Sequence, residues 1–97
     1  MLHCHIIASF NHKGLKRFFE DGDRKLLRPD LVERVATLLA YIDAAKVIED
    51  LDIPSLRLHP LKGDLQGYWA INVRANWRIV FRFVGLDAYD VELIDYH

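Results

Sequence analysis

The polar residues best suited to acid–base chemistry fall in two stretches of the sequence, 59–78 and 95–97. They are His59, Lys62, Arg74, Arg78, Asp95, Tyr96 and His97. Two histidines can share proton transfer near neutral pH, and lysine and arginine can neutralise charge that develops on a phosphate. No serine or cysteine stands where a nucleophile is expected. These groups therefore suit attack by a hydroxyl of the substrate itself, as when the 2′-hydroxyl of RNA attacks the neighbouring phosphate.

Each of these residues also has a plainer interpretation. A histidine beside a proline, such as His59, or at a chain end, such as His97, is commonly a solvent-exposed bystander. A metal site has less support still: His3 and His5 flank Cys4, but no fourth ligand has the spacing of a zinc site, and the chain has no H-E-x-x-H helix. We therefore expect neither a metal ion nor another cofactor.

Two amphipathic strands are predicted to carry the first polar stretch. Apolar side chains alternate with others over 68–73 and 77–83, the period of a half-buried strand. A three-residue loop, 74–76, keeps the apolar residues on one face if Asn76 adopts the left-handed conformation. The predicted pairs are Val73 with Trp77, Ile71 with Ile79, Trp69 with Phe81, Asn72 with Arg78, and Tyr68 with Arg82. The core then takes Trp69, Trp77, Ile79 and Phe81, which leaves Tyr68 and Tyr96 as candidates for stacking on a base.

A second three-residue loop, Gly85 to Asp87, leads into the last predicted strand. The pairs it predicts are Phe83 with Tyr89, Phe81 with Val91, Ile79 with Leu93, Arg78 with Ile94, and Arg82 with Asp90. Tyr96 then lies one diagonal step from Arg78. The C-terminal stretch, 95–97, is therefore expected close to the basic part of the hairpin.

The first half of the chain predicts a strand and helices. His5 to Ser9 is a short β-prone stretch, and Asn11 is expected to cap a helix running from His12 to about Asp21 and ended by Gly22. The apolar side of that helix is Leu15, Phe18 and Phe19; its outward side is Lys13, Lys16 and Arg17.

A longer helix is predicted from Pro29 to Ala44, because Pro29 suits a first helical position and apolar residues recur at helical spacing. Those residues are Leu31, Val35, Leu38, Leu39 and Ile42. A short helical segment is expected over Ala45 to Leu51 and a second strand over Leu56 to His59.

This order of elements predicts an α+β fold: an N-terminal strand and two or three helices packed on one face of an antiparallel β-sheet. Ninety-seven residues, 52% of them hydrophobic, suit one domain over 1–97. The single cysteine and the lack of a membrane-length apolar run or signal-peptide pattern predict a soluble, cytoplasmic protein.

Positive charge is concentrated locally, although the whole chain has a net charge of −1. Residues 56–84 carry five basic residues against one acidic residue, whereas 85–97 carry four acidic residues and no lysine or arginine. This distribution favours a small anionic site on the central hairpin and argues against a long phosphate track.

Three segments together resemble one known family: SFNHKGLKRFFEDG, HPLKGDLQGYWAINVRANWRIVFRF and the terminal DYH. From about Ile7 to His97 the chain is similar to the HigB-type host-killing toxins of the RelE/ParE superfamily. The resemblance implies a RelE-like fold and a metal-independent endoribonuclease, an mRNA interferase that cleaves translated mRNA in the ribosomal A site. It also implies two kinds of partner, the ribosome with its message and a cognate HigA-like helix-turn-helix antitoxin.

The resemblance also implies roles for individual residues. The catalytic group would be His59, Lys62, Arg78, Asp95, Tyr96 and His97, with His97 favoured as the base. The contacts to ribosomal RNA would be Lys13, Lys16, Arg17 and Arg74.

Two non-catalytic alternatives stay open at this point. One is a ParE-like toxin that inhibits a protein target such as gyrase; the other is a domain whose only task is to bind its antitoxin. The polar set favours catalysis, because a pure binding protein has no need for two histidines converging with Lys62 and Tyr96.

Overall fold

The structure is a computed structural model that describes residues 7–85 and 87–95. Within them the helices and strands are α1 Lys13–Asp21, α2 Val32–Ala44, β1 His59–Pro60, β2 Tyr68–Arg74, β3 Trp77–Val84 and β4 Asp87–Asp95. The strands form one antiparallel sheet in the order β1-β2-β3-β4, and the helices pack on one face of it. The predicted α+β architecture is confirmed. None of the helices in these ranges has the length and apolar character needed to cross a membrane.

The N-terminal segment, expected as a strand from His5 to Ser9, is not a continuous strand where the structure describes it. Ile7 and Phe10 make isolated parallel bridges with β4. Between these bridges Asp90 donates its N–H to the Ser9 hydroxyl, at 2.8 Å, instead of to a backbone carbonyl. The ladder is interrupted there for that reason. The first two residues of the predicted strand lie outside the described ranges.

The N-terminal cap of α1 is His12 rather than the predicted Asn11. The Nδ1 atom of His12 accepts the N–H of Leu15 at 3.1 Å, and the helix begins at Lys13. Asn11 lies one residue earlier, in the segment beside the sheet, where it donates its N–H to the Val91 carbonyl at 2.9 Å. Gly22 ends the helix as predicted, with a left-handed φ of 73°.

The long helical stretch predicted from Pro29 to Ala44 is confirmed, with a 3-10 turn, Pro29–Leu31, leading into α2. Its predicted core residues, Leu31, Val35, Leu38, Leu39 and Ile42, are all buried. They pack against the inner face of the sheet, so the apolar periodicity of the sequence correctly identified the face that α2 buries.

The helical segment predicted over Ala45 to Leu51 is reduced to a 3-10 turn, Ile48–Leu51. The Asp50 carboxylate accepts the backbone N–H groups of Lys46 and Val47, at 2.8 and 3.3 Å. These two donors are thereby satisfied outside a helical ladder.

The second strand, predicted over Leu56 to His59, begins only at His59, where β1 starts. Arg57 has a left-handed φ of 51°, which breaks the extended conformation. The carbonyl of Leu56 still accepts the N–H of Asn72 at 2.8 Å, so the segment stays beside β2 without forming a ladder.

The β2–β3 hairpin has the predicted facing pairs but a different loop. The loop contains two residues, Ala75 and Asn76, and Ala75 rather than Asn76 is left-handed. Arg74 therefore pairs with Trp77, and the predicted pairing of Val73 with Trp77 is wrong. A β-bulge at Val73 restores the register. Beyond it the predicted pairs Asn72–Arg78, Ile71–Ile79, Trp69–Phe81 and Tyr68–Arg82 are confirmed.

The β3–β4 hairpin differs from the prediction in the same way. The pairs at the end of this hairpin are Val84 with Asp87, Phe83 with Ala88, and Arg82 with Tyr89. The last two replace the predicted Phe83–Tyr89 and Arg82–Asp90 pairs. A bulge, with Asp90 at a φ of 56°, sets Asp90 and Val91 together opposite Phe81. The predicted pairs Ile79–Leu93 and Arg78–Ile94 are then confirmed.

The core lies between the helices and the inner sheet face. Ile79 and Phe81 are completely buried there, as predicted. Trp69 and Trp77, also predicted as core residues, pack against this core but are only partly buried, because they stand at its rim. Burial of the two indoles is therefore less complete than the alternation of the sequence implied.

Candidate active site

The outer face of the sheet is the face opposite the helices, and His59 lies on it. In the sheet, His59 is paired with Ala70, Ala70 with Val80, and Val80 with Glu92, so these side chains lie on one side of the sheet. Leu61, Ala70 and Val80 are buried together there and form an apolar floor. The candidate site is thus a small apolar surface with polar side chains around it.

His59 is held in a defined tautomer by the backbone next to it. Its Nδ1 atom lies 2.9 Å from the carbonyl oxygen of Arg57. Because a carbonyl oxygen can only accept, Nδ1 carries the proton and donates, and the lone pair of the neutral ring is on Nε2. Nε2 is left to take up or give a proton at the outer face.

Lys62 stands next to the apolar floor and is exposed. It immediately precedes the 3-10 turn Gly63–Leu65, whose Leu65 N–H is donated to the Lys62 carbonyl at 3.4 Å. The neighbouring Leu61 anchors this turn, because its side chain is buried in the floor and its N–H is donated to the backbone carbonyl of Tyr68 at 2.9 Å. The ammonium group therefore projects from an anchored loop.

Arg78 starts on the outer face, between Asn72 and Ile94, and reaches toward the tip of the β2–β3 hairpin. Its Nη1 atom donates to the carbonyls of Ala75 and Trp77, at 2.8 and 3.1 Å. These bonds orient the guanidinium group, which suits a role as a fixed cation.

Asp95 does not share the outer face with His59 and Arg78, contrary to the prediction. It pairs with Trp77, whose ring packs on the helix side of the sheet, so its exposed side chain starts from that side. Arg74 also pairs with Trp77 and is exposed at the hairpin tip. Tyr96 and His97 lie outside the described residues.

The three basic residues of α1, Lys13, Lys16 and Arg17, are exposed as predicted. They belong to the helical layer, because α1 buries Leu15 in the core on the inner side of the sheet. The structure therefore separates them from the outer face. Lys16 lines a cavity of about 450 Å³ between α1 and the N-terminal segment, and Arg17 lies 3.9 Å from Asp23.

One polar network on the outer face was missed as a possible part of the site. The carboxylate of Asp90 accepts from Arg82 Nε at 2.9 Å and lies 3.5 Å from the Tyr68 hydroxyl. Ser9 closes the network from the N-terminal segment. The signal in the sequence was the opposite charge of Arg82 and Asp90 on adjacent strands. The contact to Ser9 could not be predicted, because it depends on where the N-terminal segment docks.

The described part of the site can supply a proton carrier, two cations and an apolar floor. Over 7–85 and 87–95, no three histidine, cysteine, aspartate or glutamate side chains are grouped closely enough to hold a metal ion. Arg78 starts on the sheet face that carries the floor, and Lys62 directly follows the floor residue Leu61 in the chain. The arrangement is suited to stabilising an anionic transition state next to a histidine.

Comparison with known proteins extends this picture over most of the chain. Residues 8–97 match the HigB-like toxin family, described as the RelE-like toxin of the type II toxin-antitoxin system HigB. Endoribonuclease HigB of Proteus vulgaris is 49% identical over 92 residues, which cover 95% of this chain and all of that protein. Toxin HigB-1 of Vibrio cholerae serotype O1 is 36% identical over 77 residues, covering 77% of this chain and 81% of that protein.

A solved structure is similar at the level of the fold. The YoeB/ParE toxin from Agrobacterium tumefaciens superposes with a TM-score of 0.51 at 19% identity, covering 91% of this chain and 96% of that one. This similarity supports the RelE-like fold. Because the family match spans 8–97, the chain belongs to the HigB-like family of RelE-like toxins of type II toxin-antitoxin systems, and its partner is an antitoxin.

Proposed function

We propose that the protein is a metal-independent endoribonuclease that cleaves translated mRNA on the ribosome. The reaction is endonucleolytic cleavage of RNA, the activity named for the Proteus vulgaris relative. The observation that carries the proposal is the hydrogen bond from His59 Nδ1 to the Arg57 carbonyl. It frees Nε2 for proton transfer on the sheet face from which Arg78 starts. In this proposal residues 1–97 form a single catalytic domain.

The proposed chemistry is attack of a substrate 2′-hydroxyl on the adjacent phosphate. A bond forms between the 2′-oxygen and phosphorus as the bond from phosphorus to the 5′-oxygen breaks. His97, the favoured base, takes the proton of the 2′-hydroxyl, and His59 gives a proton to the leaving 5′-oxygen. His59 suits that role because its Nδ1 bond to the Arg57 carbonyl persists when the ring is protonated, which leaves Nε2–H to donate.

The remaining catalytic residues act on charge and orientation. Lys62 and Arg78 neutralise the negative charge that builds up on the phosphate oxygens, the role that a metal ion has in other nucleases. Asp95 and Tyr96 orient the C-terminal histidine and the substrate. The basic character of residues 56–84 supports binding of an anion at this face.

Docking on the ribosome is assigned to a different surface. Lys13, Lys16 and Arg17 on α1, with Arg74 at the hairpin tip, would contact ribosomal RNA. Because α1 lies in the helical layer, a toxin docked through it keeps the outer sheet face open toward the message. The antitoxin is proposed to be a HigA-like helix-turn-helix protein, and the site of action is the cytoplasm.

The test compares the parent protein with His97→Ala and His59→Ala, each expressed without antitoxin, in a growth assay with primer extension on a translated message. We expect His97→Ala to lower cleavage by about 100-fold or more, because it removes the general base. His3→Ala, a histidine outside the proposed set, is the control. Full cleavage by both His97→Ala and His59→Ala would overturn the assignment of the site.

The same experiment separates the alternatives. A ParE-like inhibitor of a protein target such as gyrase would stop growth while the message stays intact. A domain that only binds its antitoxin would not stop growth at all. The family match and the 49% identity to a protein named as an endoribonuclease favour cleavage over both.

A further inference from the structure

A polar network at the β3–β4 end of the outer face holds one arginine in a defined position. Arg82 Nε donates to Asp90 Oδ2 at 2.9 Å, and its guanidinium group lies over the ring of Tyr89, 5.6 Å from the centroid. The side chain of Arg82 is still 42% exposed. Its two terminal nitrogens have no hydrogen-bond partner among the residues that the structure describes. A planar fork of N–H donors is therefore presented to solvent.

Asp90 is itself positioned from two sides. It is the bulge residue of β4, with a left-handed φ of 56°, a conformation that aspartate tolerates better than most residues. Its N–H is donated to the Ser9 hydroxyl at 2.8 Å, and Ser9 Oγ in turn lies 3.4 Å from Asp90 Oδ1. The backbone and the N-terminal segment thus hold the carboxylate in place independently of Arg82.

Stability does not explain this arrangement well. An ion pair with this much exposure contributes little to folding, because solvent screens it and two side chains must be ordered. A left-handed bulge residue and a carboxylate held in place therefore need another explanation. Residues other than glycine with a left-handed backbone are concentrated at sites where a group must be held for binding.

The position of Arg82 relative to the candidate site suggests what it binds. Arg82 and Arg78 start from the same face of β3, four residues or roughly 13 Å apart. Arg78 turns to the hairpin tip, whereas Arg82 is tied to Asp90 at the other end of the sheet. Between them lies the apolar floor, with His59 beside it. An RNA strand crossing the floor past His59 would meet one guanidinium group at each end.

We propose that Arg82 binds a phosphate of the substrate RNA other than the one that is cleaved, and that Asp90 is the positioning residue for Arg82. The inference rests on the proposed function, since it takes His59 and Arg78 to mark the cleaved phosphate. Arginine suits this role because its planar fork forms paired hydrogen bonds with phosphate oxygens. The subsite recognises the backbone and therefore selects no base.

The test removes one phosphate charge at a time. Short messages are made with a single neutral methylphosphonate linkage at successive positions around the cleavage site, and each is supplied ribosome-bound or free, whichever form the parent cuts. We expect one uncleaved linkage whose neutralisation slows the parent about tenfold. On the unmodified message, Arg82→Gln should cleave more slowly than the parent by about the same factor. Neutralising that linkage should not slow Arg82→Gln further, because the variant already lacks the contact.

Matched variants make the result specific. Arg24→Gln removes an exposed arginine in the loop between the helices and should keep the sensitivity of the parent. Arg82→Lys keeps the charge and should recover part of the rate. Asp90→Asn should slow cleavage less than Arg82→Gln and add nothing to it in the double variant. Thermal unfolding of each variant separates these losses from misfolding.

The possible outcomes are distinct from those of the proposed function. If Arg82→Gln stays as sensitive as the parent at every linkage, Arg82 binds no phosphate and the inference is wrong. If additive losses from Arg82→Gln and Asp90→Asn are found, Asp90 does not act through Arg82. Failure of the proposed function would instead appear as messages that the parent leaves intact, whether ribosome-bound or free, and failure of the site assignment as cleavage that persists in both histidine variants.

Discussion

The guanidinium group of Arg34, in α2, donates from Nε to the carbonyl oxygen of Val73 across 3.2 Å, at the bulge of β2. Its Nη2 atom also reaches the carbonyls of Ser55 and Asn72, at 2.8 and 3.3 Å. A bulge interrupts the strand ladder and leaves backbone groups without their usual partners. Arg34 supplies those partners from the helical layer, and so supports the bulge that sets Arg78 opposite Asn72.

We expect Arg34→Ala to lower the free energy of unfolding by about 1–3 kcal/mol, because carbonyl groups lose a charged donor. Arg34→Lys keeps the charge but not the planar fork and should recover only part of the loss. Urea unfolding measures both. Arg24→Ala, at an exposed position, should change the value by less than about 0.5 kcal/mol. A loss no larger for Arg34→Ala than for this control would show that the contacts contribute little.

Gly14→Ala should destabilise the protein even though Gly14 lies in a helix. Alanine normally stabilises a helix by about 1 kcal/mol relative to glycine. Here an added Cβ would lie 3.0 Å from Leu26 Cβ and 3.0 Å from His12 Cε1, the ring that caps α1. We expect crowding to outweigh propensity and give a net loss of about 1 kcal/mol in urea unfolding.

The exposed α2 position Ala40 offers the comparison for Gly14. Ala40→Gly measures propensity without crowding and should also destabilise, by about 1 kcal/mol. The two opposite substitutions are thus expected to act in the same direction. Stabilisation by Gly14→Ala would mean that His12 and Leu26 can move aside freely.

Asp50 should make stability depend on pH. The backbone N–H group of Lys46, and then that of Val47, lower the pKa of Asp50 below its ordinary value. A lowered folded pKa means that the carboxylate stabilises the native state above about pH 3.9 and that this contribution is lost as the pH falls through the lowered pKa. Asp50→Asn should therefore unfold more easily than the parent at pH 7, and the difference should fade below about pH 4.

Thermal unfolding from pH 7 to pH 3 tests this expectation. Asp52→Asn, which removes another exposed carboxylate nearby, controls for the general loss of one negative charge. A difference between Asp50→Asn and the parent that stays constant over this range would contradict the proposed role of the charge.

Stripping metal from the protein should leave cleavage unchanged, because Lys62 and Arg78 are proposed to supply the electrostatic stabilisation. The protein is treated with EDTA, the chelator is removed, and the protein is added to ribosomes kept intact in magnesium. Primer extension on the message gives the rate. Loss of activity on stripping, with recovery on addition of Zn²⁺ or Mn²⁺, would refute metal-independent cleavage.

Charge reversal on α1 should weaken ribosome binding and leave the active site intact. For Lys13→Glu combined with Lys16→Glu, we expect binding measured by ribosome co-sedimentation to fall by about tenfold or more, most clearly at low salt. Lys46→Glu, an exposed lysine outside the proposed docking surface, is the matched control. His97→Ala should bind as the parent does and fail to cut.

The same assay tests dependence on the ribosome. Positioning by the ribosome should make bound message a far better substrate than free message, since a free strand rarely holds the geometry that 2′-hydroxyl attack needs. Equal rates on free and bound message, at the same sites, would show that docking through α1 is not required for cleavage.

The amino-acid sequence was sufficient to predict which residues share a face and which segments form the layers. Alternation with period two identified β2 and β3, helical spacing identified the buried side of α2, and Gly22 marked the end of α1. These patterns are reliable because burial of one face is the dominant favourable term in folding and leaves a periodic record in the residue types. The family resemblance rested on three segments, SFNHKGLKRFFEDG, HPLKGDLQGYWAINVRANWRIVFRF and the terminal DYH.

The loops, the bulges and the partners of single polar groups depend on tertiary contacts and could not be predicted from the sequence. A three-residue loop and a two-residue loop followed by a one-residue bulge put the same side chains on the same face, so alternation could not distinguish them at Val73 or at Asp90. The choice depended on polar groups from distant parts of the chain: Arg34 donates to the carbonyl of Val73 at one bulge, and the Ser9 hydroxyl accepts the N–H of Asp90 at the other. A local sequence pattern does not predict such contacts, because they form between groups that are distant in the sequence and meet only on folding.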